Sequence, residues 1–442
     1  MNPKIVQAFP CHIDRPPTIE PIAIVHWLRE KQLLGLPYYL HAFEGCTEIG
    51  WGAKEHVAFL DGDAAETEDW ASTIKRIGDH AATVNSKAFG YLGFDAWDSL
   101  QGVAPDKSAT FPLGQFFVPE HRLSIQNGRI DYFGNDRRIL ECVRQTPCFT
   151  SPPAPAESYP DVEFSEQDFM LAVDGARQSL PGKITKAVLS RYQGFACDTD
   201  LLELFARYCL KQKYTDAILM DFGSVGAVIA TPELMLKTDA GKITASPLAG
   251  TNSCSPNAEA NLKKRQSLLN DRKELAEHTL ALLQMLDELR PYCEQGTLVV
   301  SRLLDIVQQN NVMHLSSELS GQLGAGDHCI DAMLSLFPST MVSGVPKAES
   351  IRLIRRLEGF PRGLFGGTVG WVSGHDCRFA LTIRGIYKYG ARLFVQAGAG
   401  ILEESDPLRE NAEVNLKMCA MLDALSGNRS SRLGEVGQDA SL

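Results

Sequence analysis

Five prolines fall between residues 147 and 160, within "TPCFTSPPAPAESYPDVEF". Each removes an amide donor and fixes its own φ, so neither a helix nor a central strand can run through the stretch. The chain is therefore expected to fold around a break, with residues 1–145 on one side, a linker over 146–164, and residues 165–425 on the other. The first part reads as mainly sheet. Short runs such as "HVAFL" alternate with turn signals, and "QNGR" at 126–129 is a two-residue hairpin signature. In the second part strand-like runs alternate with "LLELFARYCLKQ", "KKRQSLLNDRKELAEHTLALLQMLDEL" and "ESIRLIRRLEG", which carry apolar residues at helical spacing. The last stretch, 426–442, is polar and is expected to be disordered.

Composition narrows the function. At 442 residues and 44% hydrophobic content the chain can bury a site completely. A net charge of −11 argues against a nucleic-acid partner, which needs a concentrated basic face. An acidic protein can still bind an anion, but only through a local cluster of cations, amides or metal. The 11 cysteines are scattered and odd in number, with no CxxC pair, so reduced thiols in a cytoplasm are expected rather than disulfides or zinc. Cys46, Cys142, Cys148 and Cys209 read as packing residues or surface thiols. The N-terminal residues lack a long apolar core and contain early prolines, so neither a signal peptide nor a membrane span is expected.

One lysine stands out. In "KITKAVLSRYQG", Lys186 begins an apolar run, Ala187-Val188-Leu189, that reads as a short buried strand. Taken alone it is a strand-end lysine whose stem covers apolar surface while its head reaches water.

Acidic residues recur at helical spacing further along. In "KELAEHTLALLQMLDEL", Leu275, Leu282, Leu286 and Leu289 mark the expected buried stripe, and Glu277 and His278 lie off it. A solvated helical face explains both. A second segment, "EESDPLRENAEVNLKM", starts with an Asp-Pro helix signal and sets Glu410 and Glu413 at i, i+3 on one face. Carboxylates so spaced, joined by Glu277, can hold magnesium while leaving positions open to water or a substrate carboxylate.

Candidate anion binders accompany them. In "VQAGAGILEESDP", Gly398 and Gly400 interrupt a strand, which predicts a bulge or a close approach; amides exposed there can cradle an anion, and a tight corner needing small residues is the alternative. Arg384 sits within the strand-like "FALTIRGIY", where a guanidinium should meet a carboxylate of the protein or of a ligand. Lys417 follows Glu413 by one turn. His314 lies in the strand-like "NVMHLSSELSG". Glu233 follows Pro232 in "AVIATPELMLK", and burial there would raise its pKa and let it act as an acid.

In this order the segments resemble the chorismate-utilising enzymes: anthranilate, aminodeoxychorismate, isochorismate and salicylate synthases. The likeness runs over residues 165–425, through "KAVLSR", "ATPELMLK", "SPLAGT", "KELAEH", "VMHLSSELSGQL", "LFPSTMVSGVPK", "PRGLFGGTVGW", "TIRG" and "QAGAGILEESDPLREN". Before residue 145 it is faint, chiefly "FGYLGFDAW" and "FPLGQFFVPEHRLSIQNGRI". The resemblance implies a large α+β fold of two halves with packed antiparallel sheets at the core and helices outside. It implies a magnesium ion on Glu277, Glu410 and Glu413 that binds a chorismate carboxylate. Thr251, Arg384, Lys417 and Gly398-Ala399-Gly400 complete the expected cradle, with Met341 and Phe365 also touching substrate. Glu233 matches the acid that protonates the departing C4 hydroxyl, and His314 joins it as catalytic.

Relatives that add ammonia at C2, usually supplied by a glutaminase partner, carry glutamine at the position of Lys186. Relatives that add water carry lysine, because water needs a base to take its proton. Lys186 thus implies hydration to isochorismate, and the wording of "ELSGQL", "SGVPK", "PRGL" and "AGAGILEES" is most like that of salicylate synthases, which then eliminate pyruvate. A monomer without a glutaminase subunit is implied. Three residues depart from the pattern: Met341 stands where threonine or alanine is common, Phe365 where tyrosine is, and Asn252 where arginine is.

Overall fold

Along the strand Asp216–Asp221, Ala217 and Leu219 point into one core while Ile218 and Met220 point into another. The next strand, Val225–Thr231, repeats the division, with Val228 and Ala230 on one side and Val225, Ala227 and Ile229 on the other. A strand that is apolar on both faces has to be covered on both. The computed structural model, which describes residues 11–14, 21–60, 69–102, 111–149, 159–180, 182–196, 199–255, 257–309 and 312–426, shows how.

One antiparallel path runs Arg129–Phe133, Gly114–Gln126, Cys46–Phe59, Tyr38–Phe43, Asp216–Asp221, Val225–Thr231, Gly385–Tyr389, Arg392–Ile401 and Lys186–Ala196. A second runs Gly114–Gln126, Ala88–Leu92, Thr368–Ser373, Asp376–Leu381, Leu234–Asp239, Lys242–Ala245 and Val312–Gln322. The long strand Gly114–Gln126 belongs to both: Gly114 to Phe117 pair with Ala88–Leu92, and Arg122 to Gln126 with Arg129–Phe133. The sheets diverge from this fork and face each other over Tyr39, Phe89, Phe117, Ile229, Val369 and Tyr387. Helices Glu166–Ser179, Leu201–Tyr208, Lys347–Glu358 and Pro407–Ser426 pack on the outside of the first sheet. Helices Trp70–Thr83, Arg272–Leu289 and Cys329–Leu336 cover the second. The fold is α+β with antiparallel sheets at its core and helices outside, as expected.

Strands from before and after the proline-rich stretch pair directly. Tyr38–Phe43 lies beside Asp216–Asp221, and Ala88–Leu92 beside Thr368–Ser373. Residues 150–158 of the predicted linker and residues 427–442 of the predicted tail lie outside the described residues. The hairpin at "QNGR" is present, with Asn127 and Gly128 at φ 51° and 77° as a primed two-residue turn requires. The cysteines among the described residues are all free. No helix among them is long and apolar enough to cross a membrane.

Three local expectations change. The run 263–289 is two helices, Ala258–Asn270 and Arg272–Leu289, because the Asp271 carboxylate caps the second by accepting from the Lys273 and Glu274 amides at 3.0 and 3.2 Å. On that second helix Glu274, Glu277 and His278 belong to the buried stripe with Ala281, Leu282, Met285 and Leu289, whereas Leu275 and Leu286 are only half-buried. Period alone marked the leucines; packing against the strands around Gly250 and Gly344 turned the polar residues inward. Finally, Gly398 and Gly400 do not break their strand, which pairs without a register shift from Arg392 to Ile401.

Candidate active site

The run read as strand-like around Arg384 is split, as is the run around Glu233, and each split is where the chain passes from one sheet to the other. Pro232 and Glu233 join Val225–Thr231 to Leu234–Asp239, and residues 382–384 join Asp376–Leu381 to Gly385–Tyr389. The crossovers run side by side. The Leu381 amide donates to the Glu233 carbonyl at 3.1 Å, and the Ala230 amide to the Arg384 carbonyl at 3.1 Å. Both residues thus bond through their backbones to the neighbouring segment while they line the mouth between the sheets. Arg384 adopts the left-handed region, φ 54°, a conformation costly for a branched-out side chain and held here by hydrogen bonds from Ala230 and the Tyr208 hydroxyl to its carbonyl.

This mouth opens as a cleft between the sheets. Glu233, Thr251, Glu277, His314, Met341, Phe365, Arg384, Gly398, Gly400, Glu413 and Lys417 all line it. Glu233 and Lys417, far apart in sequence, are thereby brought to one cleft. Three expected residues lie outside the lining. Lys186 is fully buried behind Glu277, its Nζ 3.1 Å from Oε1 in an ion pair, and so does not snorkel to water. Glu410, 1% exposed, turns to Lys273. Ala399 points into the core beneath the helices, as period two demands when its neighbours face the cleft.

The strand pairing orients the glycine amides. Val188 and Ser190 send their amides away from the strand Arg392–Ile401, to the Ser343 carbonyl and the Glu358 carboxylate. Their partners Gly400 and Gly398 therefore form the non-hydrogen-bonded pairs, and their own amides face away from Lys186–Ala196. The Gly398 carbonyl, on that free side, accepts from Lys417 Nζ at 2.9 Å. Gly400 has a further reason to be glycine: a Cβ there would collide with the Glu277 carboxylate.

Electrostatics separates the acids. Burial pushes Glu233 up to about 8 despite the Leu248 amide and the charges of Lys186 and Lys417, so it is protonated at neutral pH. Burial also acts on Glu277, but Lys186, then Lys273 and Lys417, hold it net below the carboxylate range. Glu274, which sequence reasoning missed, lines the cleft as well and is pushed up to about 7 by burial and by Glu277. Its i, i+3 relation to Glu277 in "KELAEH" was the available signal. Burial, with Arg384 and Lys417 nearby, drops His314 to about 3, so its imidazole is neutral. Its Nδ1 lies 3.1 Å from the Thr251 hydroxyl, and its Nε2 is buried without a partner among the described residues. Thr251 reaches it through a bulge at Gly250, φ 80°.

Four carboxylates, Glu274 and Glu277 on one helix and Glu410 and Glu413 on another, thus gather beside the cleft. Each meets a cation of the chain: Arg409 at 3.2 Å, Lys186 at 3.1 Å, Lys273 at 2.7 Å and Lys417 at 2.6 Å respectively. Among the described residues no three His, Cys, Asp or Glu side chains converge on one point as they stand. The donor set nevertheless fits a hard divalent cation. It is all oxygen, and Glu410, buried beside Lys273 and the Ser405 hydroxyl, keeps its Oε2 out of any well-formed hydrogen bond among the described residues. Arg384 completes the picture as a cation with no carboxylate within 4 Å among the described residues, its guanidinium reaching only the Lys417 carbonyl at 3.4 Å.

Residues 36–423 match the chorismate binding enzyme family. The chain belongs to that family. This chorismate-utilising enzyme is 28% identical over 433 residues to the salicylate synthase of Mycolicibacterium paratuberculosis, covering 93% of this chain and 94% of the relative. It is 37% identical over 197 residues to anthranilate synthase component 1 of Streptomyces coelicolor, across 44% of this chain and 39% of that one. In fold it is similar to the menaquinone-specific isochorismate synthase of Escherichia coli, with a TM-score of 0.74 and 19% identity over 96% of this chain and 97% of the other. Anthranilate synthase component I of Streptococcus pneumoniae superposes with a TM-score of 0.75 and 22% identity, over 93% and 99% of the two chains.

One further residue positions the wall of this chorismate-utilising enzyme. Arg362, in "PRGL", donates to the Val342 and Val188 carbonyls at 2.7 and 2.6 Å and pairs with buried Glu358. It ties the turn bearing Met341 to the strand bearing Lys186. Asn252, by contrast, bonds the Lys264 carbonyl at 3.4 Å and the Ser253 amide, outside the cleft lining.

Proposed function

We propose that this enzyme adds water to chorismate, giving isochorismate, and then eliminates pyruvate to leave salicylate. The observation that carries the reading is a protonated buried acid in the cleft, Glu233 at about 8, and a buried amine, Lys186, directly behind the cleft-lining Glu277. Hydration needs both roles. A base takes a proton from water as its oxygen bonds C2, the ring double bonds shift, and an acid protonates the hydroxyl leaving C4. Lys186 is assigned the first role, which it performs as the uncharged amine once its proton has left the pair with Glu277, and Glu233 the second.

Arg384, Lys417 and the amides of Gly398 and Gly400 are assigned to the substrate's carboxylates, since buried anions require fixed donors. Glu277, Glu410 and Glu413, with Glu274 beside them, would hold magnesium, which when bound supplies a counter-charge to a substrate carboxylate. Neutral His314 and Thr251 are assigned to donate hydrogen bonds without adding charge. Pyruvate elimination moves the C2 hydrogen to the enolpyruvyl methylene as the C3–O bond breaks, so the site's task there is to hold a reactive conformer.

A second reading stops at isochorismate. It is favoured by Met341 and Phe365, both lining the cleft where relatives carry smaller or more polar side chains. The deciding experiment incubates the purified protein with chorismate and magnesium and identifies the products. Salicylate with pyruvate supports the first reading and isochorismate alone the second. An aminated product formed only with ammonium overturns both.

A further inference from the structure

The four cations that face the four carboxylates are not equivalent. Arg409 is more than half exposed, while Lys186 and Lys417 serve the cleft. Lys273 alone reaches acids of both helices, lying 2.7 Å from Glu410 and 3.6 Å from Glu274, with its side chain 14% exposed. It is not among the residues lining the cleft. Its backbone amide is separately engaged by Asp271, so the side chain is free of any capping task. Four buried or half-buried carboxylates on two adjacent helices repel one another strongly unless counter-charge is present.

We propose that Lys273 is a built-in counter-cation, which closes the carboxylate cluster before a divalent metal arrives and competes with that metal for Glu410 and Glu274. The inference rests on the magnesium reading above. Lys273 Nζ sits on Glu410 Oε1 and leaves Oε2 without a partner among the described residues, so a divalent ion on this carboxylate meets the ammonium's charge across it and the lysine withdraws as the metal binds. Two consequences follow. Before loading, Lys273 holds helix Arg272–Leu289 against helix Pro407–Ser426. During loading, it weakens the apparent affinity for metal by the strength of the pair that has to break.

The test is calorimetric titration of magnesium into the metal-free full chain, together with melting temperatures in chelator and in excess magnesium. Lys273→Met keeps most of the stem and removes the charge. Its metal-free melting temperature is expected to fall, its gain on adding magnesium to exceed the parent's, and its magnesium Kd to tighten by about 10-fold or more, as for a charge-assisted hydrogen bond released from competition. Lys273→Arg restores the charge and is expected to keep the parental Kd. Magnesium affinity in Lys273→Met equal to or weaker than the parent's overturns the proposal. If metal-free Lys273→Met is unfolded, recovery of the fold by magnesium supports it, and failure to recover in excess magnesium overturns it. Absence of magnesium binding by the parent itself overturns the magnesium reading and this inference together.

Discussion

Lys186 and Glu277 form a buried pair across two elements, strand Lys186–Ala196 and helix Arg272–Leu289, with Nζ 3.1 Å from Oε1. The contact explains three sequence features at once. The lysine at the first position of its strand spans to the helix with its stem buried. The glutamate sits on the buried stripe because the lysine awaits it. Gly400 lacks a side chain because the carboxylate occupies its place.

Lys186→Ala is expected to lower isochorismate formation by about 10²- to 10⁴-fold, the usual loss on removing a general base. Stability should also fall, by up to about 3 kcal/mol, since Glu277 is left buried with only the more distant Lys273 and Lys417. Product chromatography and thermal denaturation measure the two effects. Hydration at the parental rate would assign water activation elsewhere.

Glu233 sets a pH limit. With its pKa at about 8 the acid is available below that pH and lost above it, so kcat/KM for chorismate should decline on the alkaline side of about 8. Glu233→Gln should remove that limb while lowering the rate throughout. Stability has a related dependence. The folded carboxyl holds its proton between its ordinary 4.5 and about 8 while the unfolded one does not, so ionisation opposes folding and stability falls across that window, levelling off above it. A profile flat to pH 10 would remove Glu233 from the acid's role.

Arg384→Gln tests the carboxylate cradle. A lost charged hydrogen bond to a desolvated anion costs about 1.5–3 kcal/mol, so KM for chorismate should rise roughly 10- to 100-fold. The backbone argues for a companion variant, Arg384→Gly, which relaxes φ 54° and should match the parent in stability while showing the same KM defect. An unchanged KM in both would place the substrate's carboxylates elsewhere.

Gly400→Ala should act through Glu277. The added methyl must displace the carboxylate, so magnesium affinity is expected to drop by about 10-fold or more with the overall fold kept, as read by titration and circular dichroism. Parental affinity would show that Glu277 is not a ligand.

Metal removal should abolish turnover, and added magnesium should restore it, with Glu277→Gln and Glu410→Gln reproducing the loss in the presence of metal. Full turnover in chelator would refute a metal requirement.

Much of the fold and of the cleft was legible in the sequence, because it depended on local rules or on ordered motifs. Alternation and helical spacing marked strands and helices; "QNGR" carried the φ values of its turn; and the motifs from "KAVLSR" to "LREN" brought Glu233, Arg384, Glu413 and Lys417 forward as candidates that do meet at one cleft. What tertiary structure decided were relations between segments far apart in the chain. Continuous apolar runs could not reveal that Glu233 and Arg384 stand where the chain changes sheets, since burial before and after a crossover is the same. The spacing of leucines on Arg272–Leu289 misplaced the buried stripe, because which face is buried is set by the partner that covers it, and here the strands around Gly250 and Gly344 cover the face that carries Glu277. Nor could spacing show that each carboxylate has its own cation, with Lys273 reaching Glu410 from 137 residues away. Periodicity reports on a segment's own geometry, whereas charge pairing is decided only when the sheets and helices have packed.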